Sequence, residues 1–419
     1  MKQTVAEKIF SRKAGYPVKA GDIIMAEVDA CLTNDASGPL MIDYFRKMQA
    51  DSVAHPDRVV AIIDHYVPCP NSRVAALQQS LFDFRDRYGI RLVDAGEGIA
   101  HQVFDERNMI RPGSLIVGGD SHTTTHGYLN CIAVGIGASD LACAVSTGSL
   151  WFKVPETIRV EFSGSLRPGV SGKDVALYLL SILGSSGANY KAVEFCGDIA
   201  ALSIADRKTI CNLCAESCAK CAIMPFDEAA AAVCRARGVD VSEAVAPDEG
   251  CTYCRQLRID LSDVPYMVSV PHAVAGARPI AEVAGTPVEM AVMGTCTNGR
   301  LEDFEAIRPM LRRTDEPFAV QTLVIPASRT IYEAIVENGI AAMLLKKGAM
   351  LLPPSCGPCC GSSPGVPRDG FRVISSANRN FLGRMGNTKA SIYLASPRVV
   401  IASALAGCIT QPEEGCTDV

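Results

Sequence analysis

The sequence has no long apolar run, and its most hydrophobic stretch extends only from Val399 to Ile409, with Ser403 inside it. A transmembrane helix needs about 18 or more consecutive apolar residues. The first residues, which include Lys2, Lys8 and Arg12, also lack the apolar segment of a secretory signal. We therefore expect a cytoplasmic protein without a membrane partner.

An excess of positive charge is also missing. The chain has 40 Lys and Arg residues against 45 Asp and Glu residues, which gives a net charge of −5. Nucleic-acid-binding domains usually carry a basic patch or stripe, so this class of protein is disfavoured. The 419 residues, of which 48% are hydrophobic, are enough for two or three domains with sizeable cores.

Cysteine is too sparse for a disulfide scaffold. Only 18 of the 419 residues are cysteine, well below the ~8–10% that is typical of short disulfide-rich secreted chains. In a reducing cytosol these residues are thiols. We expect some of them to bind metal and most of them to pack as small core residues.

Short apolar runs alternate with helical patterns along the whole chain, which is typical of α/β proteins with mainly parallel sheets. Breaks in this pattern near Val154-Pro155 and Gly285-Thr286 suggest domain boundaries, and hence domains at 1–153, 154–285 and 286–419. The predicted strands are Val59–Ile63, Ile90–Val93, Leu115–Val117, Met290–Met293, Val320–Ile325 and Val373–Ile374, and two predicted helices are Leu301–Leu311 and Ile331–Asn338.

Polar residues that suit catalysis come just after several of these strands. They are Asp64-His65, Asp94 and His101, Asp120-Ser121-His122, and Cys296. Open α/β sheets bind ligands beyond the carboxyl ends of their strands. We therefore predict that these loops converge on one cleft.

Two loops rich in glycine or proline carry thiols: Cys296 lies in one, and Cys356 and Cys359 form a C-x-x-C pair in the other. On spacing alone, a zinc half-site, a redox pair and an iron–sulfur ligand set all remain open. Three thiolates on a four-iron cluster would leave one iron without a protein ligand. An open metal position is what a Lewis-acid catalyst needs.

Several segments together resemble the signatures of the aconitase superfamily, in particular the large subunits of 3-isopropylmalate dehydratases and homoaconitases. The likeness begins at Gln3–Ile9 and covers nearly the whole chain in order. It implies three α/β/α sandwich-like domains, without the mobile swivel domain of single-chain aconitases. The segments that carry it are Asp64-His65, Gly119–Gly127, Thr209–Asn212, Gly294–Arg300, Ser355–Gly361 and Asn378–Arg384.

The resemblance implies one 4Fe-4S cluster on Cys296, Cys356 and Cys359, with an open iron that binds a small hydroxy acid. It also implies a hydro-lyase that works through an enoic acid intermediate together with a separate small subunit. Among the substrates of this family, 3-isopropylmalate, an intermediate of leucine biosynthesis, is favoured. Homoaconitate, methylmalate or citraconate, and dimethylmalate remain open.

The resemblance further assigns roles to side chains. Catalytic roles fall to Asp64, His65, His101, Asp120, Ser121, His122 and Glu216, and substrate-binding roles to Asn212, Asn378, Arg379 and Arg384. A carboxylate behind an imidazole fixes its tautomer and raises its basicity. The planar fork of arginine suits bidentate binding of a carboxylate. Asn298 is expected either to seat the cysteine loop or to cap the following helix.

Four further cysteines, Cys211, Cys214, Cys218 and Cys221, have spacings that place them on one face of a helix. We interpret them as buried packing residues. A zinc ion or a second cluster is the alternative, to which Cys251 and Cys254 would add a half-site. Cys360 is interpreted as a packing residue beside the second ligand.

Two hypotheses from other classes remain. Some members of the superfamily bind RNA when their cluster is lost, but the net charge of −5 counts against this function here. A zinc-binding structural protein would use the helical thiols and would not need Cys296, Cys356 and Cys359.

Overall fold

Helices and strands alternate along the computed structural model, which describes residues 1–361 and 363–413. The end of the third predicted domain, residues 414–419, lies outside this range. The helices are α1 (Val5–Ala14), α2 (Gly38–Lys47), α3 (Ser72–Tyr88), α4 (Ala100–Glu106), α5 (Ala138–Thr147), α6 (Gly172–Leu183), α7 (Ile204–Leu213), α8 (Glu228–Arg237), α9 (Thr295–Asn298), α10 (Leu301–Arg313), α11 (Arg329–Glu337), α12 (Ile340–Lys346) and α13 (Pro397–Ala406). The strands are β1 (Ile23–Glu27), β2 (Ala30–Asn34), β3 (Val59–Ile62), β4 (Arg91–Val93), β5 (Leu115–Gly118), β6 (Ile132–Gly135), β7 (Ser149–Lys153), β8 (Thr157–Ser163), β9 (Ala192–Gly197), β10 (Cys221–Ile223), β11 (Arg255–Asp260), β12 (Met267–Ser269), β13 (Ala277–Pro279), β14 (Met290–Gly294), β15 (Gln321–Ile325), β16 (Met350–Leu351), β17 (Arg372–Ser375) and β18 (Ser391–Leu394).

The first large sheet has five strands in the order β4-β3-β2-β5-β6, and all neighbours are parallel. Every residue of β3 and β5 is buried, as expected for apolar runs that are covered on both faces of a sheet. Because the strands are parallel, their carboxyl ends meet at one edge. Asp35, Asp64 and Asp120 follow β2, β3 and β5 at this edge.

Two further sheets follow along the chain. The second has four parallel strands in the order β10-β9-β8-β11. The third has seven strands in the order β13-β12-β18-β17-β14-β15-β16, and only the pairings made by β12 are antiparallel. Strands β12 and β13 precede residue 286 and still pair within this third sheet. The domain limits given above stay a prediction, and β1 and β7 form a small antiparallel ribbon.

One buried apolar cluster contains residues from all three large sheets, among them Ile62, Val160 and Val292. Burial of apolar surface is the main stabilising term in such an interior. The three sheets are therefore packed together, and loops at their edges come close to one another. Among the described residues, no helix has the length and apolar character that crossing a bilayer requires.

Candidate active site

The loop after β3 carries Asp64 and His65 and is held by a buried carboxylate, that of Asp35. Asp35 accepts hydrogen bonds from the backbone N–H groups of Asp64 at 3.2 Å, His65 at 2.8 Å and Tyr66 at 3.1 Å. Asp35 is not among the residues predicted above for the site. Its position directly after β2, at the same edge of the sheet, is the signal that could have found it.

The imidazole of His65 is supported by Asp64. Its Nδ1 lies 2.6 Å from Asp64 Oδ1, and the backbone N–H of Ala100 at the start of α4 donates to Asp64 Oδ2 at 2.7 Å. Burial disfavours the imidazolium, but the charges of Cys356 and Asp64 outweigh burial and hold the pKa of His65 well above its ordinary value. The arrangement therefore favours a proton on His65.

Asp120 lies between three imidazoles. Its Oδ1 is 3.1 Å from His101 Nε2 and 3.4 Å from His122 Nδ1. Its Oδ2 is 3.6 Å from His65 Nε2. Although burial opposes ionisation, His101 and His122 hold the pKa of Asp120 well below its ordinary value. The adjacent Ser121 is exposed, and its hydroxyl makes no hydrogen bond within the described part of the chain.

Glu216 links this group to the other two sheets. It lies in the helical turn after α7, and its Oε1 is 2.8 Å from His122 Nε2. Arg379 Nε, from the loop after β17, donates to the same oxygen at 2.8 Å. Burial raises the pKa of Glu216, but hydrogen bonds and charge from His122 and Arg379 lower it overall. Glu216 is therefore an ionised carboxylate shared by an imidazole and a guanidinium.

The thiols of Cys296, Cys356 and Cys359 border this group. Asn378 contacts two of them, because its Nδ2 donates to Cys296 Sγ at 3.3 Å and its Oδ1 accepts from Cys359 Sγ at 3.4 Å. Asn212 Nδ2 lies 3.6 Å from Cys296 Sγ. The third thiol, Cys356 Sγ, lies 3.8 Å from the Nδ1 of the His65 imidazole. Arg384 Nη2 reaches to 4.0 Å from Cys359 Sγ.

The Cys296 loop depends on a glycine and on a buried arginine. Gly294 has a φ of +119°, and a Cβ at this position would lie 1.9 Å from the carbonyl oxygen of Ile325. Arg300, 3% exposed, donates to the carbonyl oxygens of Cys296 at 3.0 Å and Thr297 at 2.7 Å. Arg300 is not among the residues predicted above for the site, although it ends the Gly294–Arg300 segment.

Asn298 does not cap the backbone of α10. Its Nδ2 donates to Asp303 Oδ1 at 3.0 Å and to Thr209 Oγ1 at 3.4 Å. The box at the start of α10 is made by Arg300 and Asp303 instead. Asn298 therefore joins the cysteine loop to α7 and α10, which agrees with the first of its two expected roles.

The donor set fits a polynuclear cluster better than a single metal ion. Within the described residues, the only group of three metal-ligating side chains whose ligand atoms all lie within 4.8 Å of one another is Asp64, His65 and Cys356. Cys296, Cys356 and Cys359 are thus spread too widely to surround one ion, yet all three border the same polar group. Burial raises the pKa of Cys296 to about 12, so ligation would have to displace its proton.

Two expectations need correction. Helix α7 ends at Leu213, so Cys211, Cys214, Cys218 and Cys221 do not share one helical face. Cys218 has a φ of +63° and is exposed, whereas the other three are buried as packing residues. No described group of three ligands includes any of them, nor Cys251 or Cys254.

The second correction concerns Asp94, which also follows a strand. It is exposed and accepts a hydrogen bond only from the backbone N–H of Ala95.

The sequence is similar to known proteins over nearly its whole length. The model of the aconitase family (aconitate hydratase) matches residues 7–407. A 3-isopropylmalate dehydratase large subunit from Thermotoga maritima is 42% identical over 417 residues, which cover 98% of this chain and 99% of that relative. One from Methanopyrus kandleri is 39% identical over 414 residues, with 98% and 99% covered.

A solved structure supports the fold. The holo-form of aconitase X from Thermococcus kodakaraensis superimposes with a TM-score of 0.51 over 89% of each chain, at 12% identity. This likeness concerns the fold alone, which is the α/β architecture with mainly parallel sheets that the sequence predicted. From the extent of the family match and the identity to its relatives, the chain belongs to the aconitase family.

Proposed function

We propose that this chain is the large subunit of a 3-isopropylmalate dehydratase, a hydro-lyase of leucine biosynthesis. The names of its relatives support this function. The observation that carries it is the position of the three thiols beside a chain of imidazoles and carboxylates: Cys356 Sγ lies 3.8 Å from His65 Nδ1, and Asp120 contacts three imidazoles. Such a site can bind an inorganic cluster and move protons at the same place.

The proposed reaction removes a proton next to a carboxylate and releases a hydroxide. Both steps are slow in water, because the proton is weakly acidic and hydroxide is a poor leaving group. Cys296, Cys356 and Cys359 would hold a 4Fe-4S cluster, whose open iron, when bound, supplies Lewis acidity toward the hydroxyl and one carboxylate of the substrate. Proton transfer and binding of the substrate carboxylate are left to side chains of this chain.

His65 is suited to protonate a leaving oxygen from Nε2, because Asp64 orients the ring through Nδ1 and the raised pKa favours the imidazolium. The pair of His122 and Glu216 and the pair of His101 and Asp120 are suited to hold and return protons during hydration. Arg379 contacts Glu216 through Nε, and its two Nη groups make no hydrogen bond within the described residues. They can bind a substrate carboxylate, together with Arg384.

The proposal includes a separate small subunit, which the words "large subunit" in the relatives' names support. Its test is anaerobic co-expression of the chain with a small subunit, followed by assays on 3-isopropylmalate, homoaconitate, methylmalate and dimethylmalate. We expect activity that is highest on 3-isopropylmalate and that accompanies four irons per chain. A preference for another acid would overturn the substrate assignment, and a colourless, iron-free protein would overturn the mechanism.

Separate Cys296→Ser, Cys356→Ser and Cys359→Ser variants test the ligand set. We expect each to lose the visible absorbance of the cluster and the activity, because each removes one thiolate ligand. Cys211→Ser is the matched control, because Cys211 is also buried but lies in no metal-ligating group of the described residues. Retention of iron and activity in any of the three variants would contradict the ligand assignment.

A further inference from the structure

A lysine of α6 is completely buried behind the thiols. Lys173 is 0% exposed, and its Nζ donates to the backbone carbonyl oxygens of Ser376 at 2.9 Å and Ala377 at 2.5 Å. Lysine is almost never fully buried unless it is paired. The proton-transfer groups described above do not include it.

No carboxylate of the described residues pairs with Lys173 within 4.0 Å. The neighbouring Asp174 accepts from the backbone N–H groups of Met267 and Ser171, each at 3.0 Å. A buried cation without a counter-ion costs several kcal/mol or loses its proton. The position of Lys173 therefore calls for more negative charge than its direct hydrogen-bond partners supply.

Besides the two carbonyl oxygens, negative charge can reach Lys173 from the thiols of the site and, more weakly, from the buried carboxyl groups of Asp174 and Asp303. Burial lowers the pKa of Lys173 to about 7, while negative charge on Cys296 and Cys359, the two largest opposing influences, raises it. Thiolates at these positions would therefore favour the ammonium form. Ligation of a cluster requires both cysteines as thiolates.

Lys173 also holds the backbone that leads to a ligand-contacting residue. Its two acceptors, Ser376 and Ala377, immediately precede Asn378, which contacts the sulfurs of Cys296 and Cys359. Ser376 Oγ accepts from the backbone N–H of Gly294 at 2.8 Å. The ammonium group therefore lies where the loop after β17 meets the turn that presents Cys296.

We propose that Lys173 is the buried counter-ion of the cluster and a positioning residue for Asn378. This inference rests on the proposed function, because it needs a cluster on Cys296 and Cys359. A nearby cation stabilises the reduced, more negative state of a cluster, so its removal lowers the reduction potential. In the cluster-free protein, in contrast, the ammonium group of Lys173 has no counter-ion among the described residues and does not stabilise the fold.

The test compares Lys173→Met and Lys173→Gln with the unaltered chain, each co-expressed with the small subunit and loaded anaerobically. Glutamine removes the charge and keeps N–H donors, although its side chain is one atom shorter and carries a carbonyl oxygen. At a fixed potential we expect roughly a tenfold drop in the ratio of reduced to oxidised cluster, about 59 mV for a one-electron couple. Lys173→Arg should restore the ratio. The readouts are a spectroscopic redox titration and the iron content.

Lys347→Met is the matched control, because Lys347 is also buried and also donates to two carbonyl oxygens, those of Thr314 and Glu316. It should leave the potential unchanged. An unchanged potential in both neutral variants of Lys173 would overturn this inference while leaving the proposed function intact. Failure of both neutral variants to fold in the absence of a cluster would also overturn this inference, because the positive charge of Lys173 would then have a partner other than the cluster. Absence of a cluster in the unaltered chain would overturn the proposed function itself.

Discussion

Single side chains in this site serve more than one neighbour. The Asp64 carboxylate orients His65 through one oxygen and is itself held by the N-terminus of α4 through the other. Glu216 divides one oxygen between His122 and Arg379. Removing one such carboxylate is therefore expected to disturb the protonation of the histidine that it supports.

The Asp64→Asn variant tests the dependence of His65 on the Asp64 carboxylate. We expect kcat to fall by about 10²–10⁴-fold, because an amide cannot support the imidazolium of His65 as a carboxylate does. The KM and the iron content should change little, which steady-state assays and iron analysis would measure. Asp94→Asn is the matched control, since Asp94 follows the next strand but is exposed. A kcat close to that of the unaltered enzyme would contradict the role of Asp64.

The side chains of the candidate site could be predicted from the sequence only in part. The histidines and cysteines could be selected because their chemistry is distinctive and they follow apolar runs. Asp35, Lys173 and Arg300 were missed because their importance comes from burial and from backbone groups of distant segments. No local pattern in a sequence records such contacts.

At the scale of elements, each of the six strands predicted from apolar runs is present in the structure, as β3, β4, β5, β14, β15 and β17. The predicted Val59–Ile63 and Met290–Met293 correspond to β3 and β14 within one residue. The prediction for the four spaced cysteines was wrong because their spacing imitates a helix, whereas α7 ends at Leu213 and Cys218 has a left-handed backbone conformation with a φ of +63°. Periodicity alone cannot reveal where a helix stops when no glycine or proline marks its end.

The turn between β14 and α9 gives a prediction at this scale. Gly294→Ala should lower the free energy of unfolding by about 2–5 kcal/mol and reduce cluster loading, because its Cβ would clash with the carbonyl of Ile325. Gly285→Ala is the control: its φ is also positive, at +80°, but nothing lies within 4 Å of the added Cβ. It should cost only about 1–2 kcal/mol. Chemical denaturation of both variants measures the difference, and equal losses would contradict the steric argument.

At the scale of the whole molecule, a buried ionic network joins the first two sheets. Asp105 on α4 contacts Lys208 on α7 at 2.5 Å and Arg237 on α8 at 2.7 Å. It also accepts from the hydroxyl of Tyr128 at 2.6 Å. Burial raises the pKa of Asp105, but the two cations outweigh burial and hold it below its ordinary value. The carboxylate is therefore ionised between helices that belong to different sheets.

Asp105→Asn should lower the free energy of unfolding at neutral pH by about 3–5 kcal/mol, because the buried Lys208 and the partly buried Arg237 lose their counter-ion. The contribution of Asp105 is present above the pKa of the unfolded carboxyl, and it is lost as the pH falls through the lower folded-state pKa. The difference in the free energy of unfolding between Asp105→Asn and the unaltered chain should therefore shrink only at acidic pH. Urea unfolding as a function of pH measures it.

The control for this experiment is Asp369→Asn, because Asp369 pairs with Lys389 at the surface. Exposed ion pairs contribute little, so no measurable change is expected. A comparable loss in both variants would show that the loss from Asp105→Asn does not depend on burial.

The order of the ligands along the chain bears on how the protein matures in the cell. Asp64, His65, Asp120 and Glu216 are synthesised well before Cys296, and Cys356 and Cys359 come later still. If the proposed roles hold, a nascent chain contains its acid–base residues before it contains any cluster ligand. On that assignment a cluster could be bound only after Cys359 has been synthesised, and a chain terminated before Cys296 would contain none of the three proposed ligands.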